Sequence, residues 1–137
     1  MTSGGLVETA FYNRTYDEAL DLTIEARDYV AESLNADREN AAFGERGYFD
    51  CEALRMTTRL ALVMAWLMVQ RAVHEGEIGM DEAREEERRL GGRDVCFDND
   101  AEIVDLLPPR FRDLMERSLK LYQRIARLDE MVARNGA

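Results

Sequence analysis

LALVMAWLMV, residues 60–69, holds ten residues without a polar side chain, in a chain whose residues are 34% charged. Such a run can enter a membrane, line a pocket or lie between helices. As a helix it reaches only about 15 Å, half of a bilayer core of about 30 Å. Arg59 closes it on one side and Gln70-Arg71 on the other. The run therefore points to a protein interior rather than a bilayer, and no membrane insertion is expected. A helix that is apolar all round has to be covered on all sides.

Outward from this run, Asp50 is a candidate N-cap, with Glu52 near the positive end of the helix dipole. Gly76 is a candidate C-cap glycine after His74, so the central helix spans about 50–74. Upstream, Thr15-Tyr16-Asp17-Glu18 matches a capping box. Ala19, Leu22, Ala26, Tyr29 and Ser33 follow at steps of three and four, widened by Leu20, Ile24 and Leu34, which predicts a first helix over 16–35. Downstream, Leu107-Pro108-Pro109 opens the last helix, since proline suits a first helical turn. Phe111, Leu114, Ser118, Leu121, Ile125, Leu128 and Val132 then form a bundle-type seam.

The remaining segments read as connections. Residues 1–14 are expected to be a loose arm, and 36–49, with Gly44 and Gly47, a connector with room for a frayed helical part. Gly79 opens a short charged helix that ends at Gly91-Gly92, supported by a Glu85→Arg89 pair. Residues 93–106 read as an acidic linker pinched by Val95, Phe97 and Ile103. The expected fold is all-α: one domain over 1–137, a three-helix bundle with an extra short helix. Two neighbours leave one face of the central helix open. A second copy in a two-fold homodimer is the favoured cover, and the segment 93–107 folded over that face is the alternative. The expected core and dimer seam is Leu60, Met64, Trp66 and Leu67, together with the stripe of the last helix.

Charge narrows the partners. The net charge is −10, which opposes binding to nucleic acid and to anionic lipid. It is unevenly spread: residues 1–50 carry 4 basic and 11 acidic side chains, whereas 106–137 carry 7 and 4. Lys120 is the sole lysine, and arginine suits bidentate pairing with carboxylates. Arg110, Arg117, Lys120, Arg124 and Arg127 follow one stripe of the last helix. They can pair with the acidic first helix, which carries Asp17, Asp21, Glu25, Asp28 and Glu32, or present a docking face for an acidic partner protein.

Chemistry is sparse. His74-Glu75-Gly76-Glu77-Ile78 resembles the start of HExxH, but Ile78 stands where the second His belongs and the chain has one His. An EF-hand loop begun at Asp98 puts Ile103 at the turn glycine and Pro109 at the last ligand. No serine sits in GxSxG. Cys51, near a helix N-terminus, lies far in sequence from the lone His. Cys51 and Cys96 form no CxxC and fit free thiols of a reducing cytoplasm. MTSGGLVETAFYNR has no basic segment followed by an apolar run, so no signal peptide is expected. No enzyme activity, metal or cofactor is expected. Met56, Met64, Met68 and Trp66 read as core, and the indole N–H needs a partner there.

Two motif blocks carry a family resemblance. Met56-Thr57-Thr58-Arg59-Leu60, Trp66-Leu67, Gln70-Arg71-Ala72-Val73 and Gly76-Glu77 form the first. Leu107-Pro108-Pro109, Glu116-Arg117-Ser118-Leu119 and Arg127-Leu128-Asp129 form the second. Together they cover about half of the chain and resemble the alphaproteobacterial family of the regulator of CtrA degradation, the RcdA-like family. The resemblance implies a dimeric three-helix bundle without enzymatic activity. It implies an adaptor that joins a response-regulator-primed ClpXP protease and brings cell-cycle regulators to it, and ClpX and a response regulator are the partners it implies. Such a tether raises local substrate concentration without adding chemistry. Two positions depart from the pattern. Gly79 replaces a hydroxyl cap, and the sequence ends at Asn135-Gly136-Ala137, where the family has a polar delivery tail, so the dimer is expected to be kept and protease-related partners to be lost or changed. The alternative function is a sensor of a small apolar ligand held near Trp66 and Met64, or a purely structural dimeric module.

Overall fold

The computed structural model describes residues 9–134. Three long helices, α1 (Thr9–Glu32), α3 (Arg46–His74) and α7 (Pro109–Arg134), pack pairwise around one core. Four shorter helices are α2 (Leu34–Asn40), α4 (Met80–Ala83), α5 (Arg93–Cys96) and α6 (Ala101–Val104). Two 3-10 turns lie at Phe43–Glu45 and Glu86–Arg88. Among the described residues there is no strand, and no helix is long and apolar enough to cross a membrane.

The core follows the helical periods. Tyr29, Phe49 and Phe111 meet with ring centroids 5.0 Å and 5.9 Å from Phe111. Met56, Val63, Leu114, Leu121 and Ile125 continue the buried column. Burying each such side chain contributes about 1.5–3 kcal/mol. The expected seam of the last helix is buried from Phe111 to Ile125 and again at Val132, and Leu128 is half-buried.

Helix ends differ from the sequence reading where tertiary contacts outweigh local signals. α1 starts at Thr9, inside the expected loose arm; residues 1–8 of that arm lie outside the described residues. Tyr12 explains the extension: its ring is buried and its hydroxyl donates to the Leu67 carbonyl at 3.0 Å. The capping box is not formed, because Thr15 is buried within the helix and Glu18 pairs with Arg124 at 2.7 Å. The connector after α1 is partly helical, as Leu34 is buried and the Tyr29 hydroxyl donates to Asp37 at 2.7 Å. α3 starts at Arg46 rather than after Asp50, which pairs with Arg38 instead.

The segment between α3 and α7 also departs from expectation. The charged helix after Gly79 is only the four residues of α4. Arg89 does not pair with Glu85; it reaches Asp129 and Glu130 on α7, a stronger demand than an exposed i,i+4 pair meets. The apolar pinch is formed by Cys96, Val104 and Leu107, whereas Val95 is 57% and Phe97 40% exposed. Gly92 is held in the left-handed region at φ +75, and a Cβ there would fall 2.5 Å from Leu62 Cδ1. The positive φ reserves the position for glycine. Beside it the Tyr122 hydroxyl donates to the Gly91 carbonyl.

Candidate interaction surface

Each flank of α3 is closed by its own means. On the α7 flank, the Trp66 indole donates to Asp129 at 3.0 Å. Arg89 gives the same carboxylate two bonds of 3.0 Å, and Arg93 one of 3.2 Å. Asp129 is 2% exposed, so three donors replace the water it loses. The indole partner expected from the sequence is this aspartate.

On the flank facing α5, Arg59 is fully buried. Its Nε donates to the Cys96 carbonyl at 2.9 Å. Nη1 donates to the Met115 carbonyl and Ser118 Oγ, both at 3.2 Å. Nη2 donates to the Asp98 carbonyl at 2.9 Å and Asn99 Oδ1 at 2.6 Å. All five guanidinium donors are thus satisfied, and none of their acceptors is a carboxylate. Burial lowers the Arg59 pKa to about 10, so the group is charged at neutral pH. Burial also pushes the neighbouring Cys96 thiol up.

The segment 93–107 therefore covers the Arg59 flank and leaves the outward face of α3 open. That face carries Leu54, Thr57, Ala61, Ala65 and Met68, with Leu54 67% and Met68 50% exposed. Between Cys51 and Gln70 the charged residues are Glu52, Arg55 and Arg59. Glu52 and Arg59 are buried, and Arg55 donates to the Asp98 carbonyl at 3.2 Å. Beside this ridge an apolar groove of about 380 Å³ runs between α1 and α3, with Val30, Leu60, Ala61 and Met64 in its wall. Of the expected seam, Leu60, Trp66 and Leu67 are buried within the protomer and Met64 is half-buried in the groove. They serve the protomer core, so the open face belongs to the residues one helical step away. Trp66 faces Asp129 whereas Met64 faces α1, and the two line separate grooves.

The basic stripe of α7 is largely engaged with α1. Arg117 holds Glu25 through two bonds of 2.9 Å and 2.6 Å, and Arg124 holds Glu18 at 2.7 Å and 3.2 Å. The Arg117 hydrogen bond draws the Glu25 carboxyl below its ordinary pKa. Arg110 lies 5.5 Å over the Tyr29 ring. Lys120 and Arg127 are exposed and form no ion pair among the described residues. Three of the five candidate docking cations are thus directed at α1 of their own chain.

Groups with chemical potential are dispersed. Cys51 and His74 lie 23 residues apart on the single helix α3, about 35 Å along its axis. No group of three His, Cys, Asp or Glu among the described residues is placed to hold a metal. The sequence reading passed over Arg59 and Asp129 as buried ions. Their signal was positional: Arg59 falls in the inward period of Met56, Val63 and Gln70, and Asp129 in that of Leu121, Ile125 and Val132.

Comparison with known proteins agrees with this architecture. No curated protein matches the chain. The crystal structure of RcdA from Caulobacter crescentus CB15 matches with a TM-score of 0.69 and 30% sequence identity, over 87% of this chain and 88% of that one. The description of a family of proteins of unknown function, DUF1465, matches residues 5–137. With its RcdA-like helical bundle, the chain belongs to the DUF1465 family.

Proposed function

We propose that this protein is a non-enzymatic adaptor of the RcdA type. It acts as a two-fold homodimer and links ClpXP-type regulated proteolysis to cell-cycle regulators in the cytoplasm. The observation that carries the reading is the uncharged outward face of α3, in a chain similar to RcdA along most of its length. Five apolar or small residues over four turns form a patch that monomeric proteins seldom leave open. A symmetric pairing places the Ala61 region of one copy against that of the other, where small side chains allow close approach. Dimerisation through α3 leaves α7 and the 79–106 segment of both copies free for other proteins. The acidic surface of 79–106 suits partners with basic faces.

A pull-down from native lysate, with the purified chain as bait, tests this reading. The expected result is enrichment of ClpX or of a single-domain response regulator, read by mass spectrometry. Recovery of the bait alone contradicts the adaptor. Reversing charge at Lys120 and Arg127, two of the exposed α7 cations without an ion pair among the described residues, is expected to weaken capture if α7 is the docking helix. Capture that survives this reversal moves docking to the acidic segment.

A further inference from the structure

Where the start of α1 passes the end of α3, a cavity of about 600 Å³ opens between Tyr12, Tyr16, Asp17, Arg71, His74 and Glu75. That size suits a side chain or a small ligand. Its wall is aromatic: the Tyr12 ring lies 5.6 Å from the His74 ring and 6.1 Å from Tyr16. The Tyr12 hydroxyl is turned inward to Leu67, which fixes the ring. His74 Nδ1 lies 3.5 Å from Thr9 Oγ1, and its buried Nε2 has no hydrogen-bond partner.

The electrostatics favour a cation. Arg71 and Glu75 hold each other at 3.2 Å and cancel. Asp17 has no ion pair among the described residues, so the cavity keeps one negative charge. The C-terminus of the 29-residue α3 ends here and adds its partial negative charge. Aromatic faces attract cations, guanidinium more often than ammonium. An anion would meet Asp17 and the helix end, with its one cation already neutralised.

We infer that this cavity, a ring-walled pocket closed by Asp17 at the end of α3, receives an arginine side chain of a partner protein. The inference deepens the adaptor reading and rests on it for the source of the arginine. The guanidinium would lie by Tyr16 and Asp17, with its apolar stem along the rings. The pocket lies at the C-terminal end of α3, beyond Met68, so a dimer centred on Ala61 leaves both copies able to bind.

Because the chain has one His, its imidazole Cε1–H gives a single NMR signal at the pocket. The full-length protein is titrated with N-acetyl-arginine amide, with the uncharged N-acetyl-citrulline amide and with agmatine. The expected result is a saturable shift with capped arginine and none with citrulline. Asp17→Asn and Tyr16→Leu should each weaken binding roughly threefold, with circular dichroism confirming that the fold is kept. An equal response to citrulline, or no saturable shift with arginine, overturns the inference. Agmatine binding more than about tenfold tighter than capped arginine, beyond what one added charge supplies at a surface, assigns the pocket to a free amine and also overturns it. The pull-down reads partner recovery by the whole chain, so failure of the pocket and failure of the adaptor are distinguishable.

Discussion

Replacing Arg59 with methionine is expected to destabilise the protein by about 3–5 kcal/mol, from three acceptors left without donors. Methionine fills similar volume and relieves the cost of burying a charge, so neither a cavity nor desolvation sets the sign. The deciding effect is the set of acceptors left behind. The Cys96 carbonyl, Ser118 Oγ and Asn99 Oδ1 lose their donor, whereas the Asp98 carbonyl keeps Arg55 and the Met115 carbonyl keeps Ser118 Oγ. Each buried acceptor without a partner costs about 1–3 kcal/mol. Arg59→Lys keeps the charge but offers three donors in another geometry, and should recover only part of the loss. The measurement is urea unfolding together with amide exchange. Exchange should rise most from 93 to 100, where the backbone hangs on this guanidinium. An unfolding free energy within about 1 kcal/mol of wild type would show that these bonds do not hold the segment.

The second large effect is at Asp129. Asp129→Leu is expected to cost about 3–5 kcal/mol and Asp129→Asn about 2 kcal/mol. Leucine leaves the Trp66 indole and two guanidinium groups facing an apolar side chain. Asparagine can still accept one of those bonds, but it removes the charge and turns N–H groups toward arginine. Arg89 and Arg93 are partly exposed and can turn to water, which keeps the cost at the level of one buried carboxylate. Trp66 is the single tryptophan, so its emission reports the site directly. A blue shift in the native state of Asp129→Leu, with an earlier urea midpoint, is the expected result. Unchanged emission would mean that the indole finds another partner.

These two residues also mark where the sequence was readable. The three long helices were legible because Ala19, Leu22, Ala26 and Tyr29 on α1, and Phe111 to Ile125 on α7, repeat at the helical period without interruption. The start of α1 was not, because Tyr12 gains a partner 55 residues away on Leu67 and a local capping signal cannot report that. The segment 93–106 was misread for the same reason. Val95 and Phe97 are the larger side chains, yet Cys96 is the one turned inward by the Arg59 bond to its carbonyl. A buried guanidinium that takes neutral acceptors leaves no charge pattern to find.

The candidate surface was legible only in outline. An all-apolar central helix with two long neighbours announced an uncovered face, and the face is there. Its composition was not announced. Leu60, Trp66 and Leu67 looked like the seam because they are large, and size is what took them into the protomer core. Ala61 and Ala65, too small to attract notice, are left outside with Leu54 and Met68. The motif blocks that carry the family resemblance include Arg59, Trp66, Ser118 and Asp129, all buried and hydrogen-bonded. That resemblance is therefore one of internal framework.

The most direct test of the central claim, that a second copy covers the outward face of α3, is the mass in solution by sedimentation equilibrium. The wild-type chain is expected at twice its 15.7 kDa. Ala61→Glu, an exposed substitution that should change protomer stability by no more than about 0.5 kcal/mol, is expected at the single mass with its helical content unchanged. A wild-type chain that stays at 15.7 kDa across the loading range, or an Ala61→Glu variant that remains dimeric, would contradict it.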